Sequence, residues 1–190
     1  MSMLLNQIVT ANAQFVSERA AQGLLTPLSK YPQRNLAVLT CMDTRLLDFL
    51  EPAMGLRRGE AKIIKVAGNT ATADFDAVIG SLLVAVYELG VQEIIVMGHD
   101  GCGMLHTTAA GLSQKMRDRG ISEDVIAGVQ PQLKEWADAI GDVEMSVRHT
   151  VECLRCNPYL PKDIAIHGAV IHPDNGQIRI LVDGSTECRV

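Results

Sequence analysis

The chain reads as an α/β protein: a mainly parallel β-sheet flanked by helices on both faces, with an N-terminal helical arm and a C-terminal strand pair. Three observations predict this. The runs Leu36-Ala37-Val38-Leu39-Thr40, Ile63-Ile64-Lys65-Val66 and Glu93-Ile94-Ile95-Val96-Met97 are apolar on both strand faces, which marks strands covered on both sides. Segments of helical period separate them, as parallel strands require. Near the end, two apolar runs are joined by only a few turn residues, which signals a hairpin.

In chain order, Leu4, Ile8, Ala11, Phe15 and Ala20 recur at helical spacing among polar neighbours, so residues 4–21 form an amphipathic helix. Residues 1–30 then make an arm that packs on a second subunit, or a helix that caps its own domain; both readings stand. The first two strands follow. Asp74 to Leu89 reads as a long apolar helix, with Asp74 and Asp76 favourable at its N-terminus and Gly90 a good stop. After the third strand, helices lie within Ser122 to Ala139 and Val143 to Cys156, ended by Asn157-Pro158 and Leu160-Pro161. Ile164 to Ile171 and Gln177 to Val182 are the closing strands, with Pro173-Asp174-Asn175-Gly176 as the turn between them. Residues 1–190 fit one domain with an appendage, and no internal repeat interrupts them.

Composition narrows the functions. The net charge of -5 argues against a nucleic-acid surface, which needs clustered Lys and Arg; Arg57-Arg58 is the only short basic cluster. The longest apolar stretch, Ala77 to Tyr87, makes about three helical turns, against the ~20 residues of a membrane span. The N-terminus has no basic start and Asn6 and Gln7 interrupt its apolar residues, so no secretion signal is expected. Five cysteines without such a signal favour metal-bound and free thiols over a disulfide framework. A cytoplasmic location is the expectation.

Two short segments carry the chemistry. Cys41-Met42-Asp43-Thr44-Arg45 and His99-Asp100-Gly101-Cys102 each follow a buried strand. Cys41 and His99 should fall just beyond the C-terminal strand ends, where open α/β sheets form ligand crevices. Cys41, His99 and Cys102 supply three of the four ligands a tetrahedral Zn²⁺ takes, one ion per chain, with a position left for water. Read as an extended segment, Cys41, Asp43 and Arg45 alternate and face one crevice. Two thiolates neutralise the ion's formal charge. Lowering a water pKa from 15.7 to about 7 amounts to roughly 12 kcal/mol, so such a site needs help. Asp43 either accepts a hydrogen bond from zinc-bound hydroxide and orients it, or binds zinc as the fourth ligand and closes the site. Arg45 would hold Asp43 off the metal by a bidentate contact.

These segments, with Ala67-Gly68-Asn69 and Gly98-His99-Asp100-Gly101-Cys102-Gly103-Met104, resemble the β-class carbonic anhydrases. The resemblance runs from about Asn35 to Val182 and includes Leu160-Pro161-Lys162-Asp163 leading into His167-Gly168. It implies zinc ligands at Cys41, His99 and Cys102 and a catalytic dyad of Asp43 and Arg45. It also implies reversible hydration of CO₂ to bicarbonate and a proton, in a homodimer or higher homo-oligomer embraced by the N-terminal helix. One departure stands out. Many members carry Arg-Asn-Ala-Gly where this chain has Lys65-Val66-Ala67-Gly68, which bears on pocket polarity and on substrate. Relatives that hydrolyse carbonyl sulphide or carbon disulphide supply an alternative, as does a catalytically silent zinc protein of the same fold.

Other candidates read as bland. Cys153-x-x-Cys156 lies near a helix end rather than at the mouth of a βαβ unit, so core or partly exposed thiols are expected. Cys188 sits in the tail. His106 could shuttle protons, but a solvated or capping role fits it better. His149, His167 and His172 read as structural or surface residues. Asp100 reads as a turn residue or an acceptor behind the metal ligands. Gly98 to Gly103 lacks the Lys-Ser/Thr ending of a phosphate-cradling loop.

Overall fold

The computed structural model describes residues 2–71, 75–138 and 141–185. The expectations placed on Asp74, Ala139 and Cys188 lie outside them. The chain divides into two compact units, Met1–Lys30 and Tyr31–Val190.

In the first unit, Ser2 caps helix α1 (Met3–Ala21) by accepting from the Leu5 amide at 3.2 Å. No residue of α1 is buried. Leu4, Ile8 and Phe15 with Leu5, Val9 and Val16 form one apolar stripe about 140° wide at 100° per residue, and all six stand exposed. The opposite side is mostly uncharged: Asn6, Gln7, Thr10, Gln14 and Ser17.

The second unit is built on a five-stranded sheet in the order β2-β1-β3-β4-β5. Strand β1 is Leu36–Cys41, β2 Ala61–Val66, β3 Glu93–His99, β4 Ala165–Ile171 and β5 Ile178–Val182. The first four run parallel, and β5 pairs antiparallel with β4. Every residue of β1 is buried, as expected of a central strand apolar on both faces. Alternation divides them. Ala37 and Leu39 join Ile94, Val96, Ile166 and Val170 in one core cluster, while Leu36 and Val38 join Met97, Ala169 and Ile171 in the other; Cys41, at the strand end, breaks the alternation and packs with the second.

Two helices fill the first face: α3 (Ala77–Leu83), with Ile79 and Leu82, and α6 (Val143–Cys156), with Val147, Val151 and Leu154. The approach of α6 depends on missing side chains. A Cβ on Gly98 would lie 2.7 Å from a Val147 methyl, and one on Gly168 would lie 2.9 Å from the other, closer than carbon atoms tolerate. The second face is covered by shorter pieces: helical turns at Thr44–Leu46 and Gly103–His106 and the one-turn helix α2 (Leu50–Ala53), through Leu46, Leu50 and Met104. Two further helices, α4 (Ala109–Asp118) and α5 (Glu123–Ala137), pack on each other, and Trp136 of α5 reaches the second cluster.

The structure differs from the sequence reading in four places. Cys41 and His99 are the last residues of β1 and β3 rather than the residues beyond them, because the ladder carries on to the site. Residues 84–88 of the apolar helix widen into a π-helical turn, where the Leu89 amide bonds the Val84 carbonyl at 3.2 Å. Cys41, Asp43 and Arg45 do not alternate along an extended segment: Asp43 caps the turn Thr44–Leu46, and Arg45 lies inside it. Helix α4 has no counterpart in the sequence reading.

Candidate metal centre

The strand order places the site. From β1 the chain adds β2 on one side and β3 on the other, so the crevice at the carboxyl ends of β1 and β3 is the switch point where open α/β sheets bind ligands. Cys41 ends β1, His99 ends β3, and Cys102 follows one tight turn later. That turn needs Gly101, which sits at φ 64°, a left-handed conformation that costs glycine little.

The three side chains converge. The donor atoms of Cys41, His99 and Cys102 all lie within 4.8 Å of one another, and all three residues are buried. The two sulfurs stand 3.9 Å apart. Two sulfurs each ~2.3 Å from one ion in tetrahedral geometry stand about 3.8 Å apart. The His99 ring is set by its own loop. Nδ1 donates to the Asp100 carbonyl at 3.1 Å, which fixes the tautomer and leaves the Nε2 lone pair free to bind a metal. That Nε2 is buried without a hydrogen-bond partner, an expensive state unless something else takes up its lone pair. The donor set fits Zn²⁺ in chemistry and in spacing.

Local electrostatics prepare the thiols. The Cys102 thiol beside it, the His99 ring and the Gly68 and Asp43 amides overcome burial and hold Cys41 at about 4. The negative Cys41 sulfur and burial push Cys102 up. Burial presses the His99 imidazole down, but Cys41, the Asp100 carbonyl and the Asp43 carboxylate outweigh it, and the net direction is up. One thiolate therefore forms readily, and a cation at the centre would draw the proton from the second.

Asp43 and Arg45 form a closely fitted pair. The Arg45 main-chain amide and Nε donate to Asp43 Oδ1 at 2.9 and 3.0 Å, and Nη2 donates to Oδ2 at 2.9 Å. The same Nη2 donates to the Gly101 carbonyl at 3.0 Å, tying the first segment to the loop of the second. The guanidinium holds the Asp43 carboxyl down to about 2, against the smaller effect of burial. Asp43 Oδ2 lies 3.7 Å from His99 Nε2, at the edge of the donor cluster.

An open cleft of about 350 Å³ leads to the centre, walled by Met42, Asp43, Thr44, Ala67, Met104 and Thr107. A wider hollow of about 510 Å³ lies beside α2 and brings no thiol or imidazole. Lys65, the departure in the second strand, pairs with Glu51 at 3.1 Å, and neither residue lines the smaller cleft.

The remaining candidates scatter. His106 is exposed and does not line the cleft. His167 accepts from the Gly184 amide at 3.1 Å, and His172 accepts from the Asp174 amide at 3.2 Å. Cys153 is half-buried and Cys156 exposed, both as free thiols. The sequence reading missed two contributors. Arg179 of β5 grips Asp100 with both nitrogens, at 2.9 and 3.1 Å, and so steadies the residue whose carbonyl orients His99. Nothing in the sequence around Arg179 marks a contact 79 residues away. The Gly68 amide was hidden too, since a main-chain donor leaves no trace in side-chain spacing.

Comparison with known proteins agrees with the geometry. Residues 36–178 match the carbonic anhydrase family model. A crystal structure of β-carbonic anhydrase isoform I from Trichomonas vaginalis is 44% identical, with a TM-score of 0.91 over 97% of this chain and 100% of that one. Beta-carbonic anhydrase 1 of Mycobacterium tuberculosis is 31% identical over 160 residues, 83% of this chain and 88% of that protein. A carbon disulfide hydrolase of Acidithiobacillus thiooxidans is 30% identical over 158 residues, covering 77% of this chain and 76% of that protein. Parallel sheet, paired-segment motif and sequence kinship agree: the chain belongs to the β-carbonic anhydrase family.

Proposed function

We propose that this protein is a zinc-dependent carbonic anhydrase, with Cys41, His99 and Cys102 holding one Zn²⁺ per chain and Asp43 and Arg45 as its catalytic pair. The observation that carries the reading is the buried cluster of two sulfurs and an unpartnered imidazole nitrogen within 4.8 Å, beside an ion-paired carboxylate. Bound there, Zn²⁺ would supply the Lewis acidity that makes water nucleophilic near neutral pH.

The chain's own groups do the rest. Arg45 engages both oxygens of Asp43 and keeps it ionised; a carboxylate so held would leave a bound metal's fourth position to water, which supports the open form. Asp43 becomes a fourth ligand only in a closed form in which Arg45 lets go. An ionised Asp43 accepts a hydrogen bond from the attacking water and aims its lone pair at the substrate carbon. With a pKa of about 2, Asp43 cannot keep a proton at neutral pH, so the proton released as CO₂ and water become bicarbonate passes to solvent or buffer. The apolar stretch of the cleft at Met42, Ala67 and Met104 suits a small linear molecule without charge.

The exposed apolar stripe of α1 supports a homodimer or higher homo-oligomer. The free thiols support a reducing compartment, the cytoplasm. The second reading, hydrolysis of carbon disulphide or carbonyl sulphide, is favoured by the similarity to carbon disulfide hydrolase. Stopped-flow acidification of CO₂-saturated buffer by zinc-loaded protein decides between them. Rapid acidification is expected. No acidification, with sulphide released from carbonyl sulphide or carbon disulphide, would replace the first reading by the second.

A further inference from the structure

We propose that α6 carries a second metal site on its outer face, where His149, Cys153 and Cys156, assisted by Glu152, bind a thiophilic divalent cation of the Zn²⁺ or Cd²⁺ type. At 100° per residue, these four positions fall within an arc of about 100°. The buried residues Val147, Thr150, Val151 and Leu154 occupy the other side of the helix, against the sheet, and buried Ser146 borders the arc beside Cys153. The donors therefore face away from the core, and none of them lines the cleft of the first centre.

One edge of the site is already formed. Cys153 Sγ lies 3.4 Å from His149 Nε2, and a sulfur and a nitrogen sharing one tetrahedral Zn²⁺ stand about 3.6 Å apart. Cys156, three residues on, extends the edge toward the helix end. Its thiol donates to Glu152 Oε1 at 3.2 Å, so the second sulfur and a carboxylate are already neighbours. The His149–Cys153 and Cys156–Glu152 pairs do not yet converge on one point, so closing the site requires the exposed Cys156 side chain to turn toward Cys153.

Glu152 sets a negative charge beside both thiols. Arg148 and Arg155 lie off the arc and donate to the Leu181 and Ile166 carbonyls of the sheet, at 2.9 and 3.1 Å. Lys162, which bears on Cys156, donates to the Arg155 carbonyl at 2.7 Å. Burial and the charge of Glu152 hold the Cys153 thiol protonated, and the bond to Glu152 does the same for Cys156. Both thiols are therefore poor nucleophiles, and a bound cation would discharge both protons to solvent.

The test uses the full chain, reduced with a phosphine. Cd²⁺ is titrated in, followed by the ultraviolet charge-transfer band of thiolate-bound cadmium. The expected result is one more equivalent bound by the wild-type chain than by a His149→Gln/Cys153→Ser variant, and second-site affinity about 10-fold weaker in Cys156→Ser. Equal stoichiometry in wild type and double variant would overturn the proposal. The comparison is a difference, so it stands even if the Cys41 centre binds nothing; that failure would lower both totals alike. Should the double variant misfold, alkylation of the wild-type chain by iodoacetamide decides the matter. Cd²⁺ should protect Cys153 and Cys156 together, and unchanged alkylation of both would overturn the proposal.

Discussion

At the scale of residues, Arg45 governs Asp43. Three donors from one residue converge on a single carboxylate, and the carboxyl titrates at about 2 instead of 3.8. A pKa lowered by folding stabilises the fold above the ordinary value, and that contribution fades as pH falls from about 4 through about 2. Arg45→Ala removes most of the shift. Carbon NMR of the carboxyl should then show Asp43 titrating close to 3.8, and CO₂ hydration at neutral pH should fall on the order of 100-fold as the carboxylate loses its aim. An Asp43 that still titrates at about 2 in this variant would remove Arg45 from its assigned role. The pair was legible in the sequence as residue types, but its geometry was not. Asp43 at φ -55° leaves the strand for a helical turn, and only that turn brings the Arg45 amide onto the same oxygen as its guanidinium.

At the scale of elements, two pieces show what patterning can and cannot convey. Helix α1 was readable from its period, and six of its exposed apolar side chains form a stripe that a lone chain leaves in water. Each large side chain buried against a partner contributes about 1.5–3 kcal/mol. Replacing Leu4, Ile8 and Phe15 together by Ser should shift the sedimentation profile of the protein to smaller species; an unchanged profile would take the arm out of assembly. Helix α4 was unreadable for the opposite reason. It holds Gly111 and few large apolar residues, and it buries only Ala109 and Ser113. Its signals are confined to its ends: Thr108, whose hydroxyl accepts from the Gly111 amide at 3.0 Å, and Gly120 at φ 83°, caps that many turns share. The π-helical turn at Val84–Glu88 is likewise silent, because an apolar run has the same composition at either pitch.

At the scale of the whole molecule, the fold was legible because the strands are. Leu36 to Thr40 and Ile94 to Met97 are apolar on both faces, which allows little besides a covered parallel sheet, and strand ends in such a sheet gather at one edge. From there, two motifs 58 residues apart meet as neighbours. Long-range polar contacts such as Arg179 to Asp100 and Lys65 to Glu51 were beyond reach, since charge carries no period that names its partner. The claim on which everything else rests is that Cys41, His99 and Cys102 grip one metal ion. An anomalous difference map measured at the zinc edge, on crystals of protein supplied with Zn²⁺, tests it most directly. A peak is expected about 2.3 Å from both sulfurs and about 2.0–2.1 Å from His99 Nε2. A map without density between these three atoms would contradict it.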